Sequence, residues 1–125
     1  LSRPVVIAIV DDDLAVREAL CEFLQVEGMA ALGFERAAAF LDRASEFDCV
    51  ISDVRMPEMD GLELQRRLRA CGSAMPLIFV TSLADETACA HALRNGAIAW
   101  FAKPVADAAL LGALRVALGN TGGGA

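Results

Sequence analysis

A chain of 125 residues is the size of one domain and can bury a single core. Its formal net charge of −6 excludes a stand-alone nucleic-acid binder, whose phosphate contacts need clustered Lys and Arg. No apolar run approaches the length of a membrane span. Cys21, Cys49, Cys71 and Cys89 are widely spread, with no CxxC pair and a single histidine, so neither a zinc site nor a disulfide framework fits. Buried or partly buried free thiols are expected, and with them a reducing, cytoplasmic setting.

In chain order, Val5-Val6-Ile7-Ala8-Ile9-Val10 is a β-branched run too apolar for a strand with one wet face. It belongs in the middle of a sheet covered on both sides. The run stops at Asp11-Asp12-Asp13, of which Asp13 reads only as a helix cap. Val16, Leu20, Phe23 and Leu24 form the stripe of an amphipathic helix, and Gly28 suits its C′ position. Residues 29–34, with Gly33 among them, make a weaker strand expected towards a sheet edge, and residues 37–44 a short helix offering Phe40 and Leu41 to the core.

Residues 49–53 form a third strand that ends on the carboxylate of Asp53. Met56-Pro57 then keeps the backbone extended or turning, because the residue before proline is pushed out of the α region. Asp60-Gly61-Leu62-Glu63 opens a helix, with an N-cap acid and a glutamate three residues on. Leu64 and Leu68 share one face of that helix. Residues 77–81 are apolar on both faces and end in the hydroxyls of Thr81 and Ser82. Asp85 caps a helix whose apolar residues are Cys89, Ala92 and Leu93, with His91 nearly opposite them on the solvent side. Residues 98–102 form a fifth strand, ending at Lys103-Pro104, and a last helix turns Leu110, Leu111, Leu114 and Leu118 inward. The domain spans residues 4–119, and 120–125 read as a flexible tail or the start of a linker.

Five strands alternating with five helices over short loops describe a doubly wound parallel sheet. All strand C-termini of such a sheet meet at one edge. The residues brought there are Asp11 and Asp12, Asp53, Thr81 and Lys103. Carboxylates in one cleft repel, by on the order of 4 kcal/mol for a pair about 4 Å apart at an effective dielectric of 20. Lys103 alone cannot balance three of them. A hard divalent cation suits such an oxygen-rich site, Mg²⁺ above all. Metal, lysine and hydroxyl together can receive the oxygens of an incoming phosphoryl group. Phosphoryl transfer onto Asp53 is the chemistry this pattern points to.

The motifs Val10-Asp11-Asp12, Asp53 with Met56-Pro57 and Asp60-Gly61, Thr81-Ser82 and Lys103-Pro104 stand in order, each after its own strand. Over residues 4–119 the chain resembles a response-regulator receiver domain of two-component signalling. Its Asp-x-Arg-Met-Pro-x-Met-Asp-Gly tempo is most similar to regulators that carry a helix-turn-helix DNA-binding output domain. The resemblance implies a flavodoxin-like fold with strand order 2-1-3-4-5. It implies Asp53 as the phosphoacceptor, a sensor histidine kinase as the donor, and Asp12, Asp53 and the backbone carbonyl of Arg55 as direct Mg²⁺ ligands, with Asp11 acting mainly through a water. It further implies Thr81 and Trp100 as a switch pair, a cis Lys103-Pro104 peptide, and self-association through helix 4, strand 5 and helix 5. Such a domain catalyses only its own phosphorylation and dephosphorylation, and meets DNA only through an output domain.

Two positions depart from the commoner pattern. The switch position more often holds Tyr or Phe, and Trp100 is bulkier and has no phenol hydroxyl. Leu83, two residues beyond Thr81, is a bulky apolar group where an attacking water would approach, which implies a phosphoryl lifetime of minutes or longer. The competing reading is an aspartyl-phosphate phosphatase of the haloacid-dehalogenase type. That class puts its nucleophile on the first strand with a second Asp two residues later, where this chain has Arg55, and it needs a cap insertion that is missing here. No P-loop or dinucleotide fingerprint is present.

Overall fold

The computed structural model describes residues 4–119, so the expected tail at 120–125 lies outside the described residues. In chain order the elements are β1 (Val6–Val10), α1 (Leu14–Val26), β2 (Ala30–Phe34), α2 (Ala37–Leu41), β3 (Cys49–Ser52), α3 (Gly61–Ala70), β4 (Leu77–Thr81), α4 (Glu86–Arg94), β5 (Ala99–Ala102) and α5 (Asp107–Leu114). The five strands form one parallel sheet in the order β2-β1-β3-β4-β5. This is the doubly wound architecture expected, with the weak Gly33 strand at an edge.

Alternate residues of the central strands feed two separate cores, as a pleat with both faces covered requires. Ala8, Val10, Val50, Leu77 and Phe79 face α2, α3 and α4 through Ala37, Phe40, Leu64, Leu68 and Ala92. Ile7, Ile9, Cys49, Ile51, Ile78 and Val80 face α1 and α5 through Leu24, Leu110, Ala113 and Leu114. Phe34, Phe40 and Phe47 pack as a triad with ring centroids 5.5–5.8 Å apart, closing the first core beneath α2.

Several local expectations are corrected. The second helix stops at Leu41, and a 3₁₀ turn over Ala44–Glu46 follows it, because Phe47 must reach the aromatic triad. Helix α5 passes into a π-helical turn over Arg115–Gly119. Leu93 is exposed, since α4 lays only a narrow face on the core with Ala92 at its centre, and His91 is exposed as expected. All four cysteines are free, but Cys71, at the C-cap of α3, is exposed rather than partly buried. Burial pushes the Cys49 thiol up to about 12. Asp60 caps α3 by accepting from the Glu63 N–H at 2.8 Å, yet Glu63 does not return the bond: its carboxylate pairs with Arg66 and Arg67. The two guanidinium groups hold that carboxyl down at about 2.

Candidate functional site

Strand register decides which side chains meet. Val10 pairs with Ser52, so Asp11 and Asp53 leave β1 and β3 side by side, each one residue beyond the paired positions. Ladder hydrogen bonds continue into them: the Asp53 N–H donates to the Val10 carbonyl at 2.9 Å and the Asp11 N–H to the Phe34 carbonyl at 3.1 Å. Ser52 pairs with Phe79 and Thr81 with Ala102, which carries Thr81 one residue further out and sets Lys103 immediately beyond it. Lys103 donates its own N–H to the Thr81 carbonyl at 3.0 Å, and its peptide bond to Pro104 is cis.

At this edge the Lys103 ammonium bridges two acids, with Nζ 2.9 Å from Asp11 Oδ2 and 2.8 Å from Asp53 Oδ2. The Asp12 carboxylate, which is exposed, completes a triangle in which one oxygen from each of Asp11, Asp12 and Asp53 lies within 4.8 Å of the others. Burial works against ionisation of Asp11 and prevails over its bonds to Lys103 and the Asp13 amide, so its carboxyl sits above the ordinary value. Asp53 is also desolvated, but bonds from Lys103, the Thr81 hydroxyl and the Val54 amide hold its carboxyl below the ordinary value. Burial opposes the Lys103 charge too, and the two carboxylates outweigh it and raise the ammonium. One cation therefore does not fully compensate these acids. The residual charge and the clustered oxygens fit a small hard cation such as Mg²⁺.

The loop after β3 is built to present Asp53. The Val54 N–H donates to Asp53 Oδ1 at 2.6 Å, and the Ser52 hydroxyl donates to the Asp53 carbonyl at 2.7 Å. The Met59 N–H reaches back to the Pro57 carbonyl at 2.8 Å, closing a γ-turn around Glu58, whose φ of 72° is strained for a residue with a Cβ. The Gly61 N–H then donates to the Val54 carbonyl at 2.7 Å. A Cβ at Gly61 would stand 2.3 Å from the Asp53 carbonyl oxygen and 2.8 Å from the Phe79 ring. Only glycine lets α3 start so close to the end of β3.

Thr81 lies between this cleft and α4. Its Oγ1 accepts from the Leu83 N–H at 3.1 Å while its hydroxyl bonds Asp53. Trp100 is half-buried with its ring 5.5 Å from Phe79, and Leu83 packs against the same core. Arg55 is exposed on the loop beyond Asp53.

Some contributors were not expected from sequence. Ser52 and Val54 hide in an apolar run, Arg17 donates from Nη1 to the Asp11 carbonyl at 2.7 Å, and Gln65, 1% exposed, donates to the Ala92 and Asn95 carbonyls at 2.9 and 3.2 Å. The signal for Gln65 was its place in line with Gly61, four residues on along one helix face.

A 2-1-3-4-5 parallel sheet bearing an acidic triad, a hydroxyl and a lysine at its C-terminal edge puts its polar cluster where open doubly wound sheets bind ligands. The chain belongs to the response regulator receiver domain family, whose model matches residues 7–115. It is similar to the response regulator protein TmoT of Ectopseudomonas mendocina, 44% identical over 115 residues that make up 90% of this chain and 52% of that protein. The transcriptional regulatory protein FixJ of Azorhizobium caulinodans is 41% identical over 115 residues, covering 90% of this chain and 54% of its own. Among solved structures, a CheY-like response regulator receiver domain protein from Methanospirillum hungatei matches with a TM-score of 0.89 at 27% identity, over 98% of this chain and all of that one. The chain spans about half the length of the curated relatives it matches.

Proposed function

We propose that this receiver domain is a phosphorylation-driven signalling switch that takes a phosphoryl group from a sensor histidine kinase onto Asp53. The observation that carries this reading is the Lys103 ammonium shared between Asp11 and Asp53 at 2.9 and 2.8 Å, with Asp12 in the same cluster. In the reaction an Asp53 oxygen attacks phosphorus in line with the P–N bond of a phosphohistidine. That bond breaks, and the imidazole leaves neutral because its other ring nitrogen carries a proton. The product is an acyl phosphate on Asp53.

Asp11, Asp12, Asp53 and the backbone carbonyl of Arg55 are the groups that would hold Mg²⁺. When bound, the ion supplies positive charge to the phosphoryl oxygens. Lys103 moves from pairing with carboxylate to pairing with a phosphoryl oxygen, an exchange that keeps its charge satisfied. Thr81 donates its hydroxyl to another oxygen. Because that hydroxyl oxygen also accepts the Leu83 N–H, turning it towards phosphate disturbs the loop that leads to α4. Trp100, its ring tilted against Phe79, responds to the same displacement and passes it to the surface of α4, β5 and α5.

On this reading the domain modifies only itself and turns over no separate substrate. Its output is control of transcription in the cytoplasm by a DNA-binding domain, supported by relatives named as a response regulator and a transcriptional regulatory protein and about twice this chain's length. The α4-β5-α5 surface is the proposed site of self-association, to be read by sedimentation with and without a phosphate mimic. The deciding experiment incubates the protein with Mg²⁺ and a small phosphodonor and compares intact masses of the native chain and Asp53→Asn. A single added phosphoryl, absent in the variant and absent with EDTA, is the expected result. Phosphorylation of Asp53→Asn, or none of the native chain, would overturn the assignment.

A further inference from the structure

Asp11 lies just past the end of β1, where the sheet still holds its N–H while a side chain meets its carbonyl, the first half of the Asp11-Asp12 peptide unit. The Asp11 N–H is held by the Phe34 carbonyl at 3.1 Å, and the Asp11 carboxylate by the Asp13 N–H at 2.9 Å and by Lys103. The Asp11 carbonyl is bonded from the other side by Nη1 of Arg17, at 2.7 Å. Arg17 stands in the first turn of α1, one turn after the Asp13 cap, and donates its own N–H to the Asp13 carbonyl at 3.1 Å. To reach Asp11 its stem lies flat across β2 at Gly33. A Cβ on that glycine would come 3.2 Å from Arg17 Cδ and 3.4 Å from Arg17 Cβ. The missing side chain in the edge strand is therefore matched to the long one on α1.

A peptide unit is planar, so the direction of the Asp11 carbonyl also sets the direction of the Asp12 N–H and the starting orientation of the Asp12 side chain. Asp12 is exposed and begins the loop, so its carboxylate takes its aim from its backbone. From this geometry we infer that Arg17 is a positioning residue for the cation site: it fixes the Asp11-Asp12 peptide so that Asp12 points at Asp11 and Asp53, and Gly33 makes room for it to do so. The inference rests on the reading of that acidic triangle as a Mg²⁺ site. It adds a main-chain anchor to the side chains already placed there, and partners of this outer kind commonly change metal affinity by about 10–100-fold.

Charge makes the test sharp. Arg17 carries a positive charge close to a site for a dication. If it acted only through space, removing it would relieve repulsion and tighten Mg²⁺ binding. If it positions Asp12, removing it weakens binding despite that relief. Arg17→Met keeps most of the stem that lies over Gly33 and deletes the donor. Gly33→Val keeps the donor and its charge, and pushes the stem aside.

The experiment titrates MgCl₂ into the whole chain, without phosphodonor, and reads the dissociation constant by calorimetry and the apo melting temperature by circular dichroism. We expect a Kd about tenfold or more weaker in Arg17→Met, and a weaker Kd in Gly33→Val as well. A Kd in folded Arg17→Met that is unchanged or tighter overturns the inference. So does a lowered melting temperature with native affinity, which is the signature of a merely structural arginine. Should Arg17→Met not fold, Gly33→Val decides alone: weaker binding supports the inference and native affinity overturns it. A wild-type chain that binds no Mg²⁺ overturns the cation reading, and this inference with it, whereas wild-type binding with indifferent variants overturns this inference only.

Discussion

At the scale of single residues, the site is a contest between burial and pairing in which the two bridged carboxylates come out on opposite sides. Asp11 is desolvated and stays above its ordinary value, whereas Asp53, with the Thr81 and Val54 bonds added to Lys103, falls below it. For Asp11 the sign is that of a penalty. Its ionised form is worse off folded than unfolded, so the metal-free domain loses stability as pH rises from 3.8 through the folded value. Asp11→Asn is therefore expected to raise the melting temperature in EDTA at pH 7, and the gain to vanish below pH 3.8, where Asp11 is protonated in both states. Thermal melts across that pH range check this, and an equal gain at both ends would refute it. Leu83 is the other residue with a local consequence. It packs against the core beside Thr81, whose hydroxyl oxygen accepts its N–H, and on the proposed phosphorylation of Asp53 its bulk would screen the phosphoryl group from water. The phosphoryl group should last minutes or longer, and Leu83→Ala should shorten that severalfold in a decay assay in Mg²⁺.

At the scale of elements, α3 connects the loop after β3 to α4. Its first residue, Gly61, touches the Asp53 backbone; one turn later Gln65 bonds the Ala92 and Asn95 carbonyls; a further turn on, Arg69 bonds the Asn95 carbonyl at 3.1 Å and the Met75 carbonyl at 2.9 Å. The C-terminal end of α4 is thus fastened to α3, while its N-terminal end follows the Thr81-Leu83 loop. Gly61→Ala would force a methyl group into the Asp53 carbonyl, and overpacking of this kind costs typically 1–3 kcal/mol. We expect a stability loss of that order in urea unfolding, with phosphorylation also impaired because the displaced atom belongs to Asp53, the proposed acceptor. Gln65→Leu keeps the volume and deletes the donor. It should cost roughly 1 kcal/mol and speed amide exchange at the C-terminal end of α4, with Mg²⁺ binding retained.

At the scale of the whole molecule, the doubly covered sheet is a rigid plate whose one polar edge carries uncompensated negative charge. A ligand that binds only the folded state stabilises it by mass action, about 2.7 kcal/mol at a concentration 100 times its dissociation constant. Mg²⁺ should therefore raise the melting temperature, and Asp12→Asn, which removes a ligand while lowering repulsion, should reduce that rise without lowering the metal-free stability. A melting temperature indifferent to Mg²⁺ would argue against a cation site in this edge. Among the described residues no helix is long and apolar enough to cross a membrane.

The sequence by itself determined the strands, the doubly wound class and the five polar strand-end residues, because strongly apolar runs ending abruptly in acids, hydroxyls and lysine leave little freedom about where those residues go. Asp60 and Asp85 as caps and Asp53 at a strand end were legible for the same local reason, each read from its immediate neighbours. What tertiary structure alone decided is everything that depends on register and on close approach between segments far apart in the chain. The Val10–Ser52 pairing sets Asp11 beside Asp53, the lack of space over the Asp53 carbonyl demands Gly61, and Gln65 and Arg17 serve carbonyls that local pattern cannot choose. Leu93 was misjudged because helical periodicity says which residues share a face, but the packing of α4 on the sheet decides how wide a face is covered; Cys71 was misjudged because the general burial of free thiols says nothing of a position at the C-cap of α3.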